Sequence, residues 1–104
     1  MIQATYRMPL ELRNLPPDAV EAALRANPSL FVTFDPESVH QICGHAHKIH
    51  RNADRIDVDV VPLADDEGRR FLRSYKASRL EIVGKRFASG GMEIDALLCR
   101  DKAS

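Results

Sequence analysis

A chain of 104 residues, 44% hydrophobic and 29% charged, can bury one core and has little left for a second. Its 15 basic and 15 acidic side chains cancel, and they cancel within each half as well. This excludes attraction to a polyanion through net charge and leaves only local segregation.

No apolar stretch approaches the roughly 18 residues of a membrane span. The first twenty residues lack the basic start and apolar run of a secretory signal. Cys43 and Cys99 fit reduced thiols better than a structural disulfide in a chain of this size. The expectation is a cytoplasmic protein with no membrane partner.

Residues 2–8, IQATYRM, alternate weakly and read as a first strand. Leu15-Pro16-Pro17-Asp18 opens a helix with Val20, Ala23 and Leu24 on one face. Asn27-Pro28 ends it, because proline disfavours helix in the residue before it. Ser29 to Phe34, SLFVTF, is apolar on both parities, as a strand buried on both faces is.

Asp35-Pro36-Glu37 has the form of a helix start: an N-cap aspartate, proline at the first position and an acid in the first turn. It predicts a helix running to about Arg51. Arg55 to Val61 then alternates, with Ile56, Val58 and Val60 on one face and Asp57 and Asp59 on the other. That pattern predicts a strand wet on its aspartate side. Asp65-Asp66-Glu67 begins a third helix ending near Ala77. Arg79 to Phe87 and Met92 to Cys99 predict two strands joined by the turn Ala88-Ser89-Gly90-Gly91.

The order β-α-β-α-β-α-β-β predicts an α/β fold in one domain over residues 1–104. Its sheet would be mixed, of about five strands, and would end in an antiparallel hairpin with helices packed on it.

Two stretches carry candidate chemistry. HQICGHAHKIH, residues 40–50, holds all four histidines and one of the two cysteines. On a helix, Val39, Ile42, Ala46 and Ile49 form an apolar arc, and His40, Cys43, His47 and His50 align beside it, leaving His45 on the far flank. Imidazole nitrogen and thiolate sulfur are zinc ligands, and Cys43 and His47 have the four-residue spacing at which helical side chains meet. His40 and His50 would lie about 15 Å apart along the axis, so they cannot share an ion. A closed site would need Cys99, Asp57, Asp59 or Asp95 as well. The same positions also suit half-apolar residues at the border of a core. Protonation of aligned imidazoles supplies a third reading, a pH response. Cys43 as a nucleophile would need His40 or His47 to depress its pKa. Gly44, costly inside a helix, either admits a close neighbour or breaks the helix.

Between residues 69 and 86, Arg69, Arg70, Arg73, Lys76, Arg79, Lys85 and Arg86 are opposed only by Glu81. On the third helix, Gly68, Phe71, Leu72 and Tyr75 form the inward face, while Arg69, Arg73 and Lys76 line up outward with Arg70 to one side. Such a row suits an acidic protein surface or a nucleic-acid backbone, and it also suits a solvated face complementing the helix dipole. With the aromatic residues turned inward, no stacking platform for single strands is evident.

The expectation is a small non-enzymatic binding or regulatory module that contacts an acidic partner, protein or nucleic acid, through this basic helix and hairpin. The alternative is a metal-dependent or thiol enzyme built on the histidine segment, with zinc as its cofactor. A third reading is a homo-oligomer formed through the free edge of the terminal hairpin.

Overall fold

Proline placement shapes the first strand. In the computed structural model, which describes residues 4–102, β1 spans Tyr6–Glu11; residues 2 and 3 of the expected strand lie outside the described residues. Tyr6 to Pro9 pair antiparallel with Val60 to Asp57 of β4 (Arg55–Pro62). Leu10 and Glu11 then pair parallel with Leu80 and Glu81 of β5 (Ser78–Arg86). Pro9 has no N–H to donate, and it stands at the last position before β1 changes partner, where a ladder bond is least missed.

The remaining elements are α1 (Pro17–Arg25), β2 (Phe31–Thr33), β3 (Ile42–Asn52), α2 (Asp66–Ser74) and β6 (Met92–Asp101). The six strands close into a barrel in the order β1-β4-β3-β2-β6-β5. Two contacts, β1 with β5 and β2 with β6, are parallel, and the other four are antiparallel. The mixed character of the sheet is as the sequence predicts. The open five-strand sheet is not: the barrel has a sixth strand and closes on itself.

The sixth strand comes from the segment read as a helix. Asp35-Pro36-Glu37 makes a local turn instead, with the Asp35 carboxylate accepting from the Glu37 N–H at 3.0 Å. A single 3-10 turn, Val39–Gln41, follows, and β3 begins at Ile42. β3 returns antiparallel along β4 through a two-residue turn between Asn52 and Arg55, with Ala53 in the left-handed region at φ 53°.

Local rules account for both helices. Pro17 occupies the first turn of α1, and Val20, Ala23 and Leu24 are its buried face. At α2 the Asp65 carboxylate accepts from the Gly68 N–H at 2.9 Å, an N-cap, and Phe71 is fully buried. A further 3-10 turn, Tyr75–Ala77, leads into β5. Tyr6, Phe71 and Tyr75 meet as an aromatic trio, with ring centroids 4.8 to 6.1 Å apart. One core unites Met8, Leu10, Val32, Val58, Val60, Leu80 and Leu97 from the strands with Val20, Leu24 and Phe71 from the helices.

Glycines admit close backbone approach at the end of β4. A Cβ on Gly68 would overlap the Leu63 carbonyl, and one on Gly44 would stand 2.6 Å from the Val61 carbonyl oxygen. The first anchors α2 on the end of β4, and the second lets β3 lie tight against β4. Gly68→Ala is expected to lower the free energy of unfolding in urea by about 2–3 kcal/mol, since neither backbone yields easily. Gly91→Ala, at the tip of the terminal hairpin, should change it by less than about 0.5 kcal/mol.

Candidate functional site

The histidine segment is a strand, and two β-bulges decide where its side chains go. Val32 and Thr33 of β2 face Gly44 and Ile42, leaving Cys43 as an extra residue. Val60 and Asp59 of β4 face Ala46 and Lys48, leaving His47 extra. Each bulge shifts the inward parity by one residue. Cys43 joins the core, with Ala46 and Ile49 packed against it.

His40, Cys43, His47 and His50 are therefore not a row on one helix face. His40 lies exposed on the Val39–Gln41 turn, and His45 and His47 are exposed on β3. Cys43 is fully buried, and its thiol donates to the Val32 carbonyl at 3.5 Å. Burial, with a smaller contribution from nearby Cys99, pushes the Cys43 thiol up to about 12. Cys99 is also a free, buried thiol and is raised chiefly by burial. Neither resembles an activated nucleophile, which needs a depressed pKa.

His50 does meet one of the acids considered as a further ligand. Its Nε2 lies 2.8 Å from Asp59 Oδ2, and Arg7 Nε donates to Asp59 Oδ1 at 3.3 Å. With a guanidinium already on that carboxylate, the pair is an ion-pair cluster rather than a cation site. Among the described residues, no three His, Cys, Asp or Glu side chains gather as a metal ion would require. Asp59 faces outward, as the alternation of β4 predicts, but Arg7 and His50 cover it and it is only 8% exposed.

The basic stretch divides into three parts. Arg79 belongs to a network on the outside of the barrel. Its guanidinium meets Glu81 at 3.1 Å and Glu11 at 2.6 Å, while Arg13 and Arg100 reach Glu81 at 2.9 and 3.2 Å. Lys85 and Arg86 are exposed at the far end of β5, some 23 Å from Ser78 at the rise of an extended strand. Arg69, Arg70, Arg73 and Lys76 remain on α2 and the turn after it.

On that helix Arg69 pairs with Asp66 one turn back. Arg70 stacks over the Phe34 ring at 3.9 Å, donates to Gln41 at 3.0 Å and lies 3.6 Å from Glu67. Arg73 and Lys76 are exposed and have no carboxylate partner among the described residues. Beside them Leu72 is 41% exposed, although its position at the flank of the apolar arc suggested an inward residue. The Arg70–Gln41 bond fastens the 39–41 turn next to α2, where Val39 is 78% exposed. Sequence periodicity missed both exposures. At 100° per residue Leu72 stands about 40° from Gly68 and about 40° from Lys76, and that marginal place was the available sign.

The hairpin edges are closed over two residues on each strand, Leu80 and Glu81 on β5 and Leu97 and Leu98 on β6. β5 is paired to β1 as well as β6, and β6 to β2 as well as β5. Beyond these, residues 82–86 and 92–96, and 78–79 and 100–101, pair within the hairpin alone.

Comparison with protein-family models, curated proteins and solved structures finds no match to this chain. Among the described residues, no helix is long and apolar enough to cross a membrane.

Two measurements follow from these positions. Neither Cys43 nor Cys99 should react with a thiol reagent in the native protein at pH 8, and both should react once it is unfolded in urea. The second concerns acid. Burial works to raise Glu81 and Asp59, but hydrogen bonds from Arg79 to Glu81 and from His50 and Arg7 to Asp59 outweigh it, aided by neighbouring positive charge. Both carboxyls are therefore held below their ordinary values of 4.5 and 3.8. A carboxyl lowered in the folded state contributes stability above its unfolded pKa and loses it as pH falls through its folded pKa. Glu81→Gln should thus be less stable than the parent at pH 7 by about 1–2 kcal/mol. The gap should close as pH falls below about 4, read by urea titrations across the range.

Proposed function

We propose that this protein is a small, non-enzymatic binding module whose contact surface is the outer face of α2, and whose partner is a protein segment carrying carboxylates around an apolar anchor. The observation that carries the reading is the adjacency of unpaired cations, Arg73 on α2 and Lys76 on the turn after it, to the exposed Leu72. Scattered surface apolar residues are ordinary, but one flanked by uncompensated positive charge has the pattern of an anchored, charge-steered contact.

The same geometry favours protein over nucleic acid. A phosphate backbone is tracked by a continuous row of bases. Here Arg79 is committed to Glu11 and Glu81, and Lys85 and Arg86 stand at the other end of β5. The α2 cations occupy a helix only nine residues long. Phe71 and Tyr75 pack against Tyr6, so they are not offered for base stacking. The hairpin tip supports a second reading, since Phe87 is 48% exposed next to Lys85 and Arg86, a small aromatic-basic group suited to single-stranded nucleic acid.

An amphipathic peptide of alternating leucine and glutamate, titrated by fluorescence anisotropy at low salt, tests the first reading. Binding should weaken at least about tenfold in Arg73→Glu/Lys76→Glu and severalfold in Leu72→Ser, with circular dichroism unchanged. Equal binding by parent and variants would remove α2 as the contact face. Tight, steeply salt-dependent binding of a single-stranded oligonucleotide, abolished by Phe87→Ala, would transfer the function to the hairpin tip.

A further inference from the structure

The bulge at His47 has a neighbour on the other side of the strand. Where β3 bends, the C-terminal end of α1 and the 27–30 segment face it across a groove of about 310 Å³. This volume lies at the lower end of small-molecule sites. The floor is apolar, with Leu24, Leu30, Ala46 and Ile49 among the lining residues. The polar part of the lining is Arg25, Asn27, His47 and Lys48, and no aspartate or glutamate is included.

The electrostatics of that rim are one-sided. Arg25 is held by Glu21 at 3.0 and 3.2 Å, so its charge is largely answered. Asn27 is engaged as well, donating to the Ile94 carbonyl at 3.0 Å and accepting from the Ser29 N–H at 3.3 Å. Lys48 and His47 are exposed and have no side-chain partner among the described residues. The residue count explains their position. An unbulged strand would alternate past this point and send only one of two successive side chains to this side of the sheet, whereas the extra residue brings His47 and Lys48 together to the groove. Asn27, by fastening the end of α1 to β6, and Arg51, by bonding Asp18 at 2.8 Å and Glu21 at 3.1 Å, hold the facing wall in place. The groove is thus pre-formed between anchored elements, an arrangement that lowers the ordering cost of binding.

We propose that this groove binds a small organic carboxylate with an apolar body. The Lys48 ammonium, with His47 as a further donor, would take the carboxylate, while Leu24, Leu30, Ala46 and Ile49 would take the hydrocarbon. A fully polar anion would leave the apolar floor unused, and a neutral hydrocarbon would leave the Lys48 charge unanswered. None of the lining residues belongs to α2, so the site stands independently of the peptide-binding face.

The test is an amide NMR titration of the whole protein with sodium octanoate, set against 1-octanol as a neutral comparator. Octanoate should shift residues 24–30 and 46–49, saturate at millimolar concentration or below, and bind about tenfold more tightly than octanol. Lys48→Gln, a change at an exposed side chain without a partner, should leave the spectrum otherwise native and weaken octanoate about tenfold with little effect on octanol. Absence of shifts at millimolar octanoate, shifts confined to other surfaces, or equal affinity for octanoate and octanol would each overturn the proposal. So would a Lys48→Gln variant that binds octanoate as the parent does.

Discussion

Closing the barrel depends on one short seam. β1 meets β5 over only two residue pairs, and their register sets Glu11 beside Glu81 on the outer surface while Leu10 and Leu80 face the core. Like charges in adjacent register repel. The seam holds because Arg79 lies between the two carboxylates and Arg13 and Arg100 approach Glu81 from either side. Three guanidiniums for two carboxylates leave Glu81 ionised although it is only 6% exposed. One of the seven members of the basic stretch, Arg79, thus serves the seam.

β1 carries a second polar cluster on the same outward side. Arg7, two residues before Pro9, covers Asp59 together with His50, bridging β1, β4 and β3. The first strand is thus fastened on one side through Arg7 and on the other through Glu11. Outward-facing charge does structural work on this strand.

Elements with strong local signals were legible in the sequence. The Pro16-Pro17 start of α1, the alternation of β4, the Asp65 cap of α2 and the Ser89-Gly90-Gly91 turn all stand where the residues put them. β3 was not legible, for a definable reason. Its two bulges place core-facing residues at Cys43, Ala46 and Ile49, a spacing of three that imitates a helix face. The Asp35-Pro36 turn reinforced the error by resembling a helix start. The alignment of His40, Cys43, His47 and His50 followed from the wrong period and disappeared with it. Arg69 and Arg73 keep one outward side of α2 because that segment has a true helical period. The Glu11–Glu81 seam could not be foreseen, because it depends on a register between strands about seventy residues apart in sequence.

That separation also orders events during synthesis. β1 is made well before its neighbours: β4 reaches it only from residue 57 onward, and β5 only from residue 80. Until then the apolar side of β1, Met8 and Leu10, has nothing native to rest on. β2, β3 and β4 can associate as a meander from local contacts, but the ring stays open until β6 brings Leu97 and Leu98 to β2. A barrel closed by its last strand is committed late, and β1 is long exposed to a wrong partner while it waits.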